Sequence, residues 1–568
     1  MTVSKADIAR RIDQALGTEK ADLVIKNVRL LDVVSGTLHR SDIAICGDKI
    51  VGTFDEYSGV REIDGSDQVA VPGFIDAHVH VESSLVTPGE FDRCVLPRGT
   101  TTAVCDPHEI SNVLGEAGLR YFLEASDALV MDLRVQLSSC VPATGLETSG
   151  ATLGASVLHK YKNHPRTLGL AEFMNYPGLF AKDGEVLEKL ADFSDTHIDG
   201  HAPLVRGKDL NAYLSAGIRN CHETTSADEA REKLSKGMQV LIRDGSVSRD
   251  VAALTPILNA RTAPFCGFCT DDRNPLEIAQ EGHMDHLIRT AIALGADPAD
   301  AYRAASWSSA QHFGLRDRGL IAPGWRADIV LLDDYASCTV GSVIQAGKLI
   351  TPESFEGRNL PEIVGLNSVK LDPVTASHFA HPAAAATQPV IGVLPGKIVT
   401  EFRTATLAFG SDGLKADPDQ DVLKIAVLAR HGVNRNIGRG FVQGFGFKAG
   451  ALASSVGHDS HNICVVGTNE ADMAAAVNRV IALGGGFVAV KDGAVLAELP
   501  LPVAGLMSLL PFEGVDAQLQ SLRAAVKAMG CPLDEPFLQL AFLPLPVIPH
   551  LKITDFGLVD VDRFRLIA

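Results

Sequence analysis

Apolar and polar positions follow two different rhythms along this chain. From Ala21 to Ala70 short apolar runs, Leu23-Val24-Ile25, Val28-Arg29-Leu30-Leu31, Asp42-Ile43-Ala44-Ile45 and Lys49-Ile50-Val51, are separated by turn residues such as Cys46-Gly47-Asp48. Runs of strand length bounded by Gly and Asp predict a small β unit. A matching piece returns late, where Gly319-Leu320-Ile321-Ala322-Pro323-Gly324 leads into Ala327-Asp328-Ile329-Val330-Leu331-Leu332. Two such flanks predict one composite β-sandwich, residues 1–70 and 320–380, around an inserted domain. Met1 to Gly17 mixes charged and apolar residues and predicts a short amphipathic helix.

The insert, residues 71–319, alternates strand and helix signals. Strands are predicted over residues 73–80, 101–106, 134–141, 167–173, 197–201, 218–222, 239–243 and 264–270. Residues 114–129, 227–234 and 287–294 carry apolar positions at three-to-four spacing and predict helices between them. Eight strands with intervening helices fill the length of a (β/α)8 TIM barrel. An open doubly wound sheet is the alternative, but the glycine fingerprint it requires after its first strand is missing. Residues 390–568 form a further C-terminal α+β domain. It follows a Pro- and Ala-rich linker at 380–389, with a strand over 422–429, a helix over 472–482 and a strand over 487–490. Gly484-Gly485-Gly486 lacks the lysine of a phosphate loop and follows a helix, so it reads as a tight turn.

Barrel chemistry sits at the C-terminal ends of the strands. Strand one, after Val71-Pro72-Gly73-Phe74-Ile75-Asp76-Ala77, ends in His78-Val79-His80; alternation turns both imidazoles to one side. Strand two ends in Asp106-Pro107-His108-Glu109, strand four near Glu172, strand six in His222-Glu223 and strand eight in Asp271-Asp272-Arg273. Strand five ends in His201 and starts at His197. Each residue alone reads as a loop polar group. Together at one rim, four imidazoles and two carboxylates suit two divalent ions with a bridging carboxylate.

Composition narrows the setting. The chain has 568 residues, 46% hydrophobic and 21% charged, with a net charge of -18. Such a surface repels a nucleic-acid backbone. No apolar run is long enough to span a bilayer, so a membrane is not an expected partner. Ten scattered cysteines fit a reducing cytoplasm, and the lone Cys266-Gly267-Phe268-Cys269 reads as buried packing.

The Pro-Gly-Phe-Ile-Asp-Ala-His-Val-His stretch and the late return strand resemble the amidohydrolase superfamily. Within it the chain is similar to the adenine deaminase family, on these stretches: His78-Val79-His80-Val81-Glu82-Ser83-Ser84, Asp106-Pro107-His108-Glu109-Ile110, Ser139-Cys140-Val141-Pro142-Ala143, Asp199-Gly200-His201, Cys269-Thr270-Asp271-Asp272-Arg273 and Glu281-Gly282-His283-Met284-Asp285. In the tail the matching stretches are Arg439-Gly440-Phe441-Val442, Gly446-Phe447 and His458-Asp459-Ser460-His461-Asn462. The resemblance implies hydrolysis of adenine to hypoxanthine and ammonia by a metal-activated hydroxide, with manganese, iron or zinc as the two divalent ions. It implies His78, His80, Glu172, His201, His222 and Asp271 as ligands, with Glu172 where many relatives use a modified lysine. His197 competes with His201, and Asp272 with Asp271. Asp271 is the expected base, and Glu82 or Glu109 the acid. Ser83, His108, Asp272, Arg273, His458 and His461 are candidates for substrate contact, the last two on a tail loop that reaches the barrel rim or is merely tied down. A cytoplasmic homo-oligomer is expected. Rival readings are hydrolysis of a cyclic amide or N-acyl group on the same scaffold, and a non-catalytic scaffold.

Overall fold

The computed structural model describes residues 3–411 and 413–567. The predicted N-terminal helix forms over Lys5–Ala15, capped by Ser4, whose side chain accepts from the Asp7 N–H; Met1 and Thr2 lie outside the described residues.

All eight predicted barrel strands form: β1 (Phe74–Val79), β2 (Thr100–Cys105), β3 (Asp132–Leu137), β4 (Thr167–Phe173), β5 (His197–Gly200), β6 (Asn220–Cys221), β7 (Gln239–Arg243) and β8 (Cys266–Cys269). β1 to β5 pair in parallel, as do β6 to β8. The ring closes on both sides. Arg219 N donates to Ile198 O (3.4 Å) between β5 and β6. Between β8 and β1, Asp271 N donates to His78 O (3.0 Å) and His80 N to Asp271 O (3.1 Å). Apolar residues fill both faces of these strands, as parallel strands between a barrel core and covering helices require. The three predicted helices form as Glu116–Ala128, Ala227–Ser235 and Met284–Ala293.

The flanks join as expected. The return strand Ile329–Asp334 pairs antiparallel with Val69–Pro72, within one eight-stranded sheet that also contains Ala21–Asp32, Thr37–Cys46 and Lys49–Thr53. The two runs 23–25 and 28–31 are one strand, interrupted by a register shift between Ile25 and Val28. Alternation divides its side chains. Ala70, Ile329 and Leu331 turn into the core of the composite unit with Leu23, Ile25 and Ile43. Val69, Val71, Val330 and Leu332 turn toward the barrel core.

The tail is a second eight-stranded sheet. One face carries the helix Glu470–Leu483 over Ala426, Leu428, Ala453, Val465 and Val488. The other face, with Ile425, Val427, Leu452 and Val466, belongs to the same apolar cluster as the barrel core. The linker stretch ends earlier than expected, because Pro389 already lies in the strand Thr387–Val393. The glycine run is a turn: Gly484 ends the helix at φ +74, and a Cβ on Gly485 (φ +125) would stand 2.4 Å from Gly505 Cα. Among the described residues no helix is long and apolar enough to cross a membrane.

Candidate metal centre and substrate pocket

β1 delivers two histidines whose Nε2 atoms lie 3.1 Å apart. Each ring is held from behind. His78 Nδ1 is 3.1 Å from Asp199 Oδ2, and His80 Nδ1 is 3.0 Å from the Asp106 carbonyl oxygen. A carbonyl and a carboxylate only accept, so each Nδ1 carries the proton and each Nε2 presents a lone pair. Two lone pairs facing each other inside a protein require a cation between them. The donor set therefore fits a metal ion.

Glu172, at the end of β4, spans the centre. Its Oε1 lies 3.4 Å from His80 Nε2 and 3.9 Å from His78 Nε2; its Oε2 lies 2.8 Å from His201 Nδ1 and 3.2 Å from His222 Nε2. One oxygen faces each histidine pair, which is the disposition of a bridging carboxylate. The Glu172 carboxyl is buried, yet His201, His222 and His80 hold its pKa well below the usual range. Asp271 Oδ1 is 3.2 Å from His80 Nε2, on the side of the β1 histidines. Its backbone sits at φ +55, an uncommon conformation for aspartate. Asp76 fixes that bend by accepting from Thr270 N (3.0 Å) and Thr270 Oγ1 (2.5 Å). Asp271 is also held well below the ordinary carboxyl pKa, against burial, by His80 and Arg243.

The centre lies at the floor of a cavity lined by His80, His108, Glu172, His201, His222, Glu223, Arg243, Asp271, Asp272, His458 and Asp459. Met174, Val247, Ile398, Phe542 and Leu545 supply its apolar wall, three of them from the tail.

The structure separates the paired candidates. His197 turns away from the centre, against His312 and Phe313 at 4.7 Å each, whereas His201 faces Glu172. Asp271 faces the ligands, while Asp272 accepts from Ser83 Oγ (2.5 Å). Arg273 is not among the lining residues; it is buried and donates to Gly282 O, Asp244 O and Glu281. There it ties two rim loops together. Ser83, Glu82, Glu109 and His461 are also absent from the lining. Ser83 Oγ bonds Glu109 Oε1 (2.8 Å), and Glu82 Oε1 accepts from Ile110 N (3.1 Å). Burial, with the adjacent Glu109 carboxyl, pushes Glu82 up to about 8. The cysteine pair is packing: both thiols are buried within β8, and burial pushes Cys266 up to about 12.

Several lining groups escaped the sequence reading, among them Arg243, Asp459 and Phe542. Arg243 ends β7, so the strand-end rule would have found it had it been applied to that strand. Its Nη1 donates to Asp271 Oδ2 (2.7 Å), its Nη2 to Glu223 Oε2 (3.0 Å) and Asp250 Oδ2 (3.1 Å). Asp459 sits between the two tail histidines that were singled out. Phe542 stacks on His458 at 4.5 Å, and nothing local in the sequence marks it.

Comparison with known proteins agrees with this geometry. Residues 69–371 match the amidohydrolase family, and residues 397–565 match the adenine deaminase C-terminal domain. The chain is 63% identical, over 99% of both chains, to a Gluconobacter oxydans protein described as adenine deaminase. A Methylobacterium nodulans protein of the same description is 61% identical over 99% of this chain and 100% of its own. A crystal structure of a β-aspartyl dipeptidase from Fervidobacterium islandicum covers 58% of this chain and 97% of its own at 17% identity, TM-score 0.44. A family match over more than half the chain, joined to full-length identity at this level, places the chain in the amidohydrolase family, among the adenine deaminases.

Proposed function

We infer that this chain hydrolyses adenine to hypoxanthine and ammonia. The observation that carries the reading is the 63% identity that runs over 99% of both chains and so includes the tail. The donor geometry supports a centre for two divalent ions held by His78, His80, Glu172, His201, His222 and Asp271. Such ions supply a water activated near neutral pH and polarise the substrate.

The chain's own groups do the rest. Oxygen adds to ring carbon six and the bond to the exocyclic amine breaks. One proton of water goes to the departing amine and the other ends on the adjacent ring nitrogen. Asp271 takes the first proton and hands it to the amine. Arg243 pins its Oδ2, so Oδ1 is the oxygen turned to the centre. Of the two candidate acids, Glu109 has a path to the cavity, through Ser83 Oγ to Asp272; Glu82 has none. The apolar wall of Ile398, Phe542 and Leu545 orients a flat heterocycle and excludes water.

A scaffold without activity would lack some of the six candidate ligands, and the presence of all six in the sequence supports an enzyme. The ten cysteines are free and buried, which supports a reducing cytoplasm. The test is incubation of metal-loaded protein with adenine, adenosine and cytosine, following ammonia. Release from adenine is expected; release from cytosine alone, or from none, sinks the reading.

A further inference from the structure

We propose a third divalent-cation site, separate from the bridged centre and shared by barrel and tail, formed by His108, His458 and Asp459. One ligand atom from each lies within 4.8 Å of the others, and all three residues are buried.

The spacing carries the argument. His108 Nε2 is 3.6 Å from Asp459 Oδ1, and His458 Nδ1 is 3.7 Å from the same oxygen. Both distances are too long for hydrogen bonds. Two donors each about 2.1 Å from one ion, at a tetrahedral angle, stand about 3.4 Å apart. The three groups are therefore spaced to share an ion and not to bond one another.

The unpartnered atoms are an independent observation. His108 Nε2, His458 Nε2 and Asp459 Oδ2 are buried and have no hydrogen-bond partner. Buried polar groups are nearly always satisfied. Of these, His108 Nε2 is the atom turned to Asp459 Oδ1, and an unsatisfied buried nitrogen facing a carboxylate marks a place where a cation belongs.

The surroundings fix the orientation of both rings. His108 Nδ1 is 3.2 Å from Asp106 Oδ2 and 3.4 Å from Glu172 Oε1, and Asp106 Oδ1 accepts from Ser138 Oγ (2.8 Å). With Nδ1 turned to those carboxylates, His108 turns Nε2 to Asp459, the side on which a shared cation would lie. The carboxylate behind a ligating imidazole is the usual outer support of a metal site. His458 is equally fixed: its ring stacks on Phe542 at an interplanar angle of 6°, and its backbone N–H donates to Ala541 O (2.8 Å).

Two nitrogens and one oxygen with a fourth position toward the cavity suit zinc, iron or manganese and not calcium or magnesium. Occupied, the site would fasten the tail loop to the helix His108–Leu114 that follows β2.

The test is metal stoichiometry. The full-length protein is stripped with a chelator, saturated with Zn2+, freed of excess metal and analysed by elemental and native mass spectrometry. Wild type should hold three ions per chain; Asp459→Asn and His458→Gln should each hold two, with unchanged circular dichroism. Glu172→Gln should lose ions from the bridged centre and keep one that Asp459→Asn then removes. Saturation of wild type at two, with both tail variants also at two, overturns the third site and leaves the bridged centre standing. Saturation below two overturns both. Should either tail variant misfold, loss of the third ion in the other carries the test, and its retention there overturns the proposal.

Discussion

At the scale of single residues the centre turns on Glu172. Its two oxygens face two histidine pairs, so one side chain spans the candidate ligands that follow β1, β5 and β6. Glu172→Gln keeps the shape but exchanges one charged oxygen for an amide that binds metal poorly. The ions held at the bridged centre should fall from two to one or fewer, read by elemental analysis. Full occupancy with normal turnover would move the bridge elsewhere. Asp271 has a different profile, since Arg243 fixes it and the role proposed for it is proton transfer. Asp271→Asn should lower kcat by about a hundredfold or more while the adenine dissociation constant changes little. A normal kcat would give the role to Asp272. The candidate ligands stood out in the sequence because each falls at the end of a predicted strand, most plainly His78 and His80 after the apolar run Phe74-Ile75. His197 shows the limit of that legibility. It and His201 lie on the same strand, and only the fold reveals that one end faces the centre and the other faces Phe313.

At the scale of elements, the barrel's two ends do different work. The C-terminal end of β1 is aimed from outside: Asp199, on β5, holds His78 through Nδ1 and His197 through Nε2 (3.4 Å). Asp199→Asn should weaken metal binding about 10- to 100-fold, the usual cost of removing an outer partner of a ligating histidine. Competitive chelation reads this directly; unchanged affinity would make the contact incidental. The opposite end is a charge hub. Asp132, at the start of β3, meets Arg134 (2.9 Å), Arg166 (2.6 Å), Arg326 (3.2 Å) and Arg318, with Arg326 coming from the returning flank. Burial opposes ionisation there, but Arg318, Arg134 and Arg326 hold the carboxyl far below its ordinary value. The folded pKa lies below the unfolded one. The contribution to stability is therefore present above about pH 4 and lost as pH falls through the acid range toward the folded pKa. Asp132→Asn should cost about 3–5 kcal/mol at neutral pH and flatten the acid limb of the stability curve. An unchanged acid limb would mean that the hub carries no linkage. The sequence announced these strands through their short, mostly apolar cores at regular spacing, with polar residues gathered at their ends. It did not announce the hub, three of whose arginines, Arg166, Arg318 and Arg326, lie far from Asp132 in sequence and carry no period.

At the scale of the whole molecule, the tail is a wall of the active cavity. Its inner sheet face continues the barrel's apolar cluster. Thr148 N and Oγ1 donate to Asp555 at 2.9 Å and 2.6 Å, and Asn462 Nδ2 donates to Thr148 O at 2.9 Å, so the two units are also pinned by buried polar contacts. The sequence marked the loop at 458–462 but not what it meets, because contact between distant segments leaves no local pattern. Ile398, Phe542 and Leu545 are unremarkable apolar residues until folding sets them over the metal centre. This wall bears on substrate size. A purine turned with carbon six to the bridged centre points its ring nitrogen nine away from it, toward the residues that the tail supplies. Buried, well-packed walls do not yield to a ribose without displacing core side chains. The free base should therefore be favoured over the nucleoside by at least about a hundredfold in kcat/KM, more than a single added group costs in a tolerant pocket. Steady-state assays with adenine and adenosine measure the ratio, and 9-methyladenine as a competitive inhibitor reports how close the wall stands. Comparable turnover of adenosine would show that nitrogen nine faces solvent and that the tail closes some other side of the cavity.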